Sequence, residues 1–279
     1  MKIQTLSVVV GSNACNAKCP FCVSQMTGKC IPHNQKYNTR NLEKICQFSA
    51  MNGVSTALIT GKGEPTMSKD LLPICAELNK YFPFIELQTN GYLLTEDMLA
   101  CLYEVGLSTV IISMVHYDDD HNNTIYGFKK PLDLKKTIKM IHEAGLSVRL
   151  SCIMVKGYVD SEDEFNNLIK FCKDNNVEQL TIRPVEVPKV AMDRDVYDWT
   201  VNHKVNGDDL DDIHNILDAC GTIVMNLAHG AKVYDYLGQN VCITNCLTLD
   251  TDDEKIRQLI IYPDGHVFYD WVYKGAILL

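Results

Sequence analysis

No apolar run in this 279-residue chain is long enough to span a bilayer, and the amino terminus, MKIQTLSVVVGSNAC, has neither the basic region nor the long apolar stretch of a signal peptide. Both absences point to a cytoplasmic protein that does not enter a membrane. No block of Lys or Arg stands out and the formal charge is −9, so the electrostatic footprint of a protein that grips long nucleic acid is missing. A small or peptide substrate fits that balance better. There is no low-complexity segment and no internal repeat beyond a βα unit, which leaves little room for disorder.

With 46% hydrophobic residues, the chain can bury a full core, and its length suits one large α/β domain or a domain with a modest appendage. Twelve cysteines would suit a disulfide scaffold in a short secreted chain, but here they are scattered through a large one, so reduced thiols are expected. Cys46, Cys75, Cys101, Cys152 and Cys172 fall in apolar helix or strand patterns, where cysteine acts as a small buried hydrophobe.

From residue 4 to residue 183, short β-branched runs alternate with longer amphipathic segments, the pattern of repeated βα units around a parallel sheet. Strands are predicted over 5–11, 54–60, 84–90, 108–114, 147–155 and 178–184, and helices over 39–51, 68–81, 95–104, 131–144 and 161–174. Periodicity alone does not separate a doubly wound sheet from a partial barrel. Residues 185–206 read as an irregular excursion, and 207–279 as a helix, a Cys242-x3-Cys246 segment and a hairpin turning at Pro263-Asp264-Gly265.

Directly after the first strand comes Cys15-Asn-Ala-Lys-Cys19-Pro-Phe-Cys22, on a loop expected at the carboxyl end of the sheet. Close thiolates on one loop can wrap an iron–sulfur cluster, and three ligands leave one iron open to chelate a substrate. The spacing also admits a zinc site completed by Cys30 or His33, a redox pair within Cys19-x2-Cys22, or incidental thiols. Arg149 and Arg183 are charged residues inside apolar strands, so each should reach a polar site or a buried partner. A guanidinium suits a carboxylate through two parallel hydrogen bonds, whether that of a ligand or of a structural ion pair.

C-x3-C-x2-C after the first strand, with Phe21 before the last cysteine, resembles the signature of the radical S-adenosylmethionine superfamily. Gly61-Lys62-Gly63-Glu64-Pro65 is similar to the Gly-rich motif of that family, with Lys62 ahead of its second glycine. LQTNGYLL resembles the third-strand segment, and SMVHYDDDHNNTIYG the stretch after the fourth strand in the branch related to molybdenum-cofactor biosynthesis and peptide-modifying enzymes. The resemblance covers about residues 5–190 and implies a partial (β/α)6 TIM-like barrel over 1–190, with a small α+β extension over 191–279 covering the substrate side. It implies that Cys15, Cys19 and Cys22 hold a 4Fe-4S cluster whose fourth iron is chelated by S-adenosylmethionine. Reductive cleavage would then give a 5′-deoxyadenosyl radical that abstracts a substrate hydrogen, the electron coming from a donor such as flavodoxin or ferredoxin. Such an enzyme would be oxygen-sensitive.

On the same grounds Phe21, Gly61, Gly63, Glu64, Asn90 and Ser113 become candidate cofactor-binding residues, with Arg149 for the cofactor and Arg183 for cofactor or substrate. Asn90 and Ser113 also read as plain strand-end polar residues, and Gly61 to Pro65 as an ordinary strand-to-helix turn. His116, Asp118, Asp119, Asp120 and His121 form a dense cluster that could suggest a metal. The resemblance instead implies a solvated or substrate-facing loop leading to Gly127. Cys242 and Cys246 before the Pro-Asp-Gly turn are similar to half of an auxiliary-cluster ligand set, but Asp270 and Trp271 stand where a further cysteine commonly follows; Cys220, Cys30 or Asp270 would have to complete it. The incomplete set favours a small-molecule or nucleotide-like substrate over peptide modification and glycyl-radical activation. A non-enzymatic iron–sulfur or zinc sensor is the alternative of another class.

Overall fold

The computed structural model describes residues 2–27, 31, 35–189, 191–227, 230–244, 255–271 and 277–278. Six strands follow one another in parallel: β1 (Lys2–Val10), β2 (Thr56–Gly61), β3 (Phe84–Thr89), β4 (Thr109–Met114), β5 (Ser147–Met154) and β6 (Gln179–Pro184). The helices before β6 are α1 (Val23–Met26), α2 (Thr39–Met51), α3 (Leu71–Leu78), α4 (Glu96–Glu104), α5 (Asp119–Tyr126), α6 (Leu134–Glu143) and α7 (Glu162–Asp174). After β6 come α8 (Arg194–Asn202), α9 (Gly207–Cys220), β7 (Thr222–Asn226), β8 (Lys232–Tyr236), β9 (Gln239–Ile243), β10 (Lys255–Ile261) and β11 (Val267–Phe268).

The predicted strands and the five longer predicted helices are present, and the polar helix starts do the expected work. Asn38, Thr95, Asp133 and Ser161 each accept a backbone N–H of the first turn through the side chain. Gly106 and Gly145 turn the chain at positive φ just past α4 and α6.

Alternation along the strands sorts the side chains onto two faces. Ala57, Ile59, Ile85, Leu87, Val110 and Ile112 are buried with the apolar stripes of the helices in one continuous core. The opposite, lumen face carries polar groups among apolar ones: Glu86 and Gln88 on β3, Ser113 on β4 and Arg149 on β5. Gln88 Nε2 donates to Ser113 Oγ at 3.4 Å across β3 and β4.

The sheet does not close. Its order among the described residues is β11-β10-β1-β2-β3-β4-β5-β6-β9-β8-β7. The strands after residue 206 extend the same sheet at both edges: β10 runs parallel to β1, and β9 parallel to β6. The Pro263 turn does produce the antiparallel β10–β11 hairpin. The excursion is not irregular throughout, because Asp193 caps α8 by accepting from Asp195 N and Val196 N.

Within the stretch at 116–127, residues 119–126 form the helix α5. The side chain of Asp118 caps α5 by accepting from Asp120 N and His121 N, and Gly127 ends it in the left-handed region at φ 63°. Cys46, Cys75, Cys152 and Cys172 are buried as expected, and burial pushes the Cys46, Cys75 and Cys172 thiols up to about 12. Cys101 differs: it is exposed on the outer side of α4.

Candidate radical site at the barrel mouth

Each parallel strand delivers its following loop to the same end of the sheet, and a cavity of about 480 Å³ lies there. Cys15, Cys19 and Cys22 all border it. Their loop is held by its neighbours on two sides. Lys18 N donates to Tyr126 O at 2.8 Å at the end of α5, and Glu64 N donates to Ala14 O at 2.9 Å from the loop after β2. Phe21 is buried between Tyr126 and Trp199, with ring centroids 6.2 and 6.1 Å away.

The glycines of the second loop are explained by proximity. A Cβ on Gly63 would stand 1.9 Å from Ala14 O, and one on Gly61 would stand 2.8 Å from Gly63 O. Only a bare backbone lets the Gly61 to Pro65 loop lie against the cysteine loop. Glu64 is the knot between them. Its Oε1 accepts from Thr66 N at 3.0 Å, Thr66 Oγ1 at 2.7 Å and Thr89 Oγ1 at 2.5 Å, and its Oε2 accepts from Asn90 N at 2.9 Å. Asn90 in turn donates through Nδ2 to Asn16 Oδ1 at 2.8 Å. The carboxylate therefore joins the end of β3 to both loops.

The chemistry of the donor set fits a cationic iron cluster. Burial holds the Cys15 and Cys19 thiols above their ordinary range, and in both the neighbouring Cys22 thiol adds to the rise. Thiolates crowded in this way need compensating positive charge. Among the described residues no three Cys, His, Asp or Glu side chains come together tightly enough to share one metal ion. Cys30 and His33, the suggested zinc partners, lie outside the described residues.

Gly61, Gly63, Glu64, Asn90, Ser113 and Phe21 thus share one cavity with the three cysteines. Arg149 does not join them. It sits near the start of β5, at the amino end of the lumen, where Nη1 donates to Glu86 Oε2 at 3.0 Å and Nε to Gln179 Oε1 at 2.6 Å. Its guanidinium forms an ion pair with Glu86. Arg183 is half-buried on β6, in register with the wall residue Ile153, without forming the wall itself.

The acidic and His-containing cluster beside α5 is internally bonded. His116 Nδ1 accepts from Asp118 N at 3.0 Å, and His116 Nε2 lies 3.2 Å from Glu164 Oε2. Asp118 Oδ1 and His121 Nδ1 are 2.9 Å apart. Cys242 is buried on β9, Cys220 is exposed, and Cys246 lies outside the described residues.

Several wall residues were not assigned from the sequence, Lys62, Tyr126 and Glu186 among them. Lys62 is buried, with Nζ donating to Thr27 O at 2.7 Å and Thr27 Oγ1 at 3.1 Å. Tyr126 and Glu186 border the same cavity. A charge directly after the apolar β6 was the available signal for Glu186; nothing local marks Tyr126, which reaches the cavity through the packing of α5.

Comparison with known proteins identifies the family. The sequence matches the Radical SAM superfamily over residues 9–172, more than half of the chain. A probable GTP 3′,8-cyclase of Pyrococcus horikoshii is 31% identical over 181 residues, covering 63% of this chain and 54% of the relative. The GTP 3′,8-cyclase of Pasteurella multocida is 26% identical over 239 residues, covering 82% and 66%. The chain spans about half the length of the curated relatives it matches. Streptococcus suis SuiB, solved bound to S-adenosylmethionine, shares the fold with a TM-score of 0.67 at 19% identity, covering 96% of this chain and 60% of that one. With a cysteine triplet and a Gly-rich loop meeting at the mouth of an open parallel sheet, this chain belongs to the radical S-adenosylmethionine superfamily, whose enzymes use a 4Fe-4S cluster and S-adenosylmethionine.

Proposed function

We propose that the chain reductively cleaves S-adenosylmethionine at a 4Fe-4S cluster held by Cys15, Cys19 and Cys22, and that its substrate is a small or nucleotide-like molecule. The observation that carries this reading is the convergence of the three thiols with Gly61, Gly63, Asn90 and Ser113 on one cavity at the carboxyl end of the sheet. When bound, the cluster and cofactor supply a one-electron cleavage that yields a 5′-deoxyadenosyl radical able to abstract a substrate hydrogen.

The residues of the chain bind, orient and shield. The three thiolates hold irons. Glu64, through Thr66, Thr89 and Asn90, fixes the Gly-rich loop against the cysteine loop, so that backbone groups of Gly61 to Pro65 face the cavity where an ammonium and a carboxylate must be received. Ser113 and Asn90 offer hydroxyl and amide groups at the ends of β4 and β3, suited to a ribose. Phe21, Tyr126 and Trp199 wall the cysteine loop with apolar surface, which excludes water from a reactive radical.

The curated relatives named for a reaction of GTP support a small-molecule or nucleotide-like substrate. Residues 191–279 act as an extension over the substrate side, supported by the approach of Trp199 on α8 to Phe21. The compartment is the reducing cytoplasm, with flavodoxin or ferredoxin as the electron source. Release of 5′-deoxyadenosine and methionine by the reduced, anaerobically reconstituted protein tests the proposal. Wild type should release both and Cys22→Ala neither; equal release from the two would sink it.

A further inference from the structure

One stretch of the cavity wall is left unexplained by the cluster loop. Glu186 follows β6 and borders the cavity with Val185 and Ile153, several strands away in the sheet from the loops after β1 and β2. Its Oε2 lies 2.9 Å from Lys204 Nζ, and both side chains keep some contact with water. The backbone beside Lys204 is fixed: the His203 ring stacks on Trp199 at 3.8 Å, and His203 O accepts from Lys156 N at 2.9 Å. The lysine side chain itself is a flexible four-carbon arm.

This pair displays what Glu186 accommodates, a single ammonium at hydrogen-bonding distance from a carboxylate that borders the cavity. A partly exposed ion pair contributes little to stability, so a second ammonium arriving from inside the cavity can take the place of Lys204 at small cost. The other charged wall groups are committed elsewhere, Lys62 to Thr27 and Glu64 to Thr66, Thr89 and Asn90. Ile153, Val185, Phe21 and Tyr126 offer apolar surface for a short carbon chain in the same cavity.

We infer that Glu186 is the specificity-determining residue of the cavity and receives the primary ammonium of a small-molecule substrate, with Lys204 holding its place until the substrate arrives. The inference rests on the reading of this cavity as the substrate side of a radical site. The same carboxylate repels a polyphosphate, so it selects among the small molecules which that reading admits.

The test uses the reconstituted holoenzyme and three probes, n-butylammonium, its uncharged counterpart 1-butanol, and GTP, with binding followed by ligand-observed NMR. Butylammonium should bind saturably and 1-butanol should not displace it. Glu186→Gln should weaken butylammonium by about tenfold, the loss of one charge-assisted hydrogen bond. Lys204→Met should tighten it, because the internal competitor is gone, whereas a merely structural ion pair would make both variants behave alike. Unchanged butylammonium binding in Glu186→Gln, or GTP binding tighter than butylammonium in wild type, would overturn the inference. Release of 5′-deoxyadenosine by wild type without any probe is scored separately. Its absence would count against the radical reading, while the titration still decides the ammonium site.

Discussion

Arg149 and Glu86 show how one residue can satisfy the right chemical rule in the wrong place. A guanidinium inside an apolar strand must find an anion, and it does, but three residues into β5 that anion is the carboxylate on β3 rather than a ligand at the mouth. Arg149→Met should destabilise the fold by about 2–3 kcal/mol, because it strands a largely buried carboxylate, while leaving iron content per folded chain unchanged. Chemical denaturation with iron analysis of the same samples checks both halves. Gly63→Ala should do the reverse: its Cβ would collide with Ala14 O, so the cysteine loop must move and cluster iron should fall sharply. His116 gives a pH prediction. Burial, helped by His121, holds its imidazole below the usual value of 6.5, against the opposing pull of Glu164. The neutral form is what Asp118 N requires, so the contribution is full above that value and is lost as pH falls through the lower folded one. Stability should drop on acidification below about pH 6.5, by no more than about 1.4 kcal/mol per pH unit from this group, with a shallower slope in His116→Gln.

At the scale of elements, legibility followed periodicity. β1 to β6 and the longer helices of the barrel carry repeating apolar patterns with polar starts, and their sequence positions were readable to within a few residues. α5 was not, because Asp119 to Tyr126 bury only Asn122, Ile125 and Tyr126, too few for a stripe; the helix depends on its Asp118 cap and Gly127 stop. α8 was hidden for a similar reason, with Val196 and Thr200 its buried residues. The pairing of β10 with β1 had no local signal at all, since Lys255 to Ile261 read equally well as any buried strand. That pairing covers the edge of β1, the strand that leads into the cysteine loop. Truncation after residue 244 should therefore expose the β1 edge and shift the protein from a soluble species to aggregates in size-exclusion chromatography.

The whole molecule converts a sheet into a site by direction alone. Parallel strands carry their loops to one end, and the cysteine triplet, the Gly-rich loop and the ends of β3 and β4 meet there because the sequence places them after successive strands. That much of the site was legible in spacing and resemblance. Glu186 was less so, since it lies in no motif, and Lys62 and Tyr126, though inside the Gly-rich motif and the stretch after the fourth strand, had no role suggested by them. The most direct test is iron and sulfide content with electron paramagnetic resonance of the reduced protein, handled anaerobically, before and after S-adenosylmethionine is added. About four irons and four sulfides per chain, a signal that shifts with the cofactor, and loss of both in Cys19→Ala are the predicted results. Zinc in place of iron, or a spectrum indifferent to the cofactor, would contradict the account.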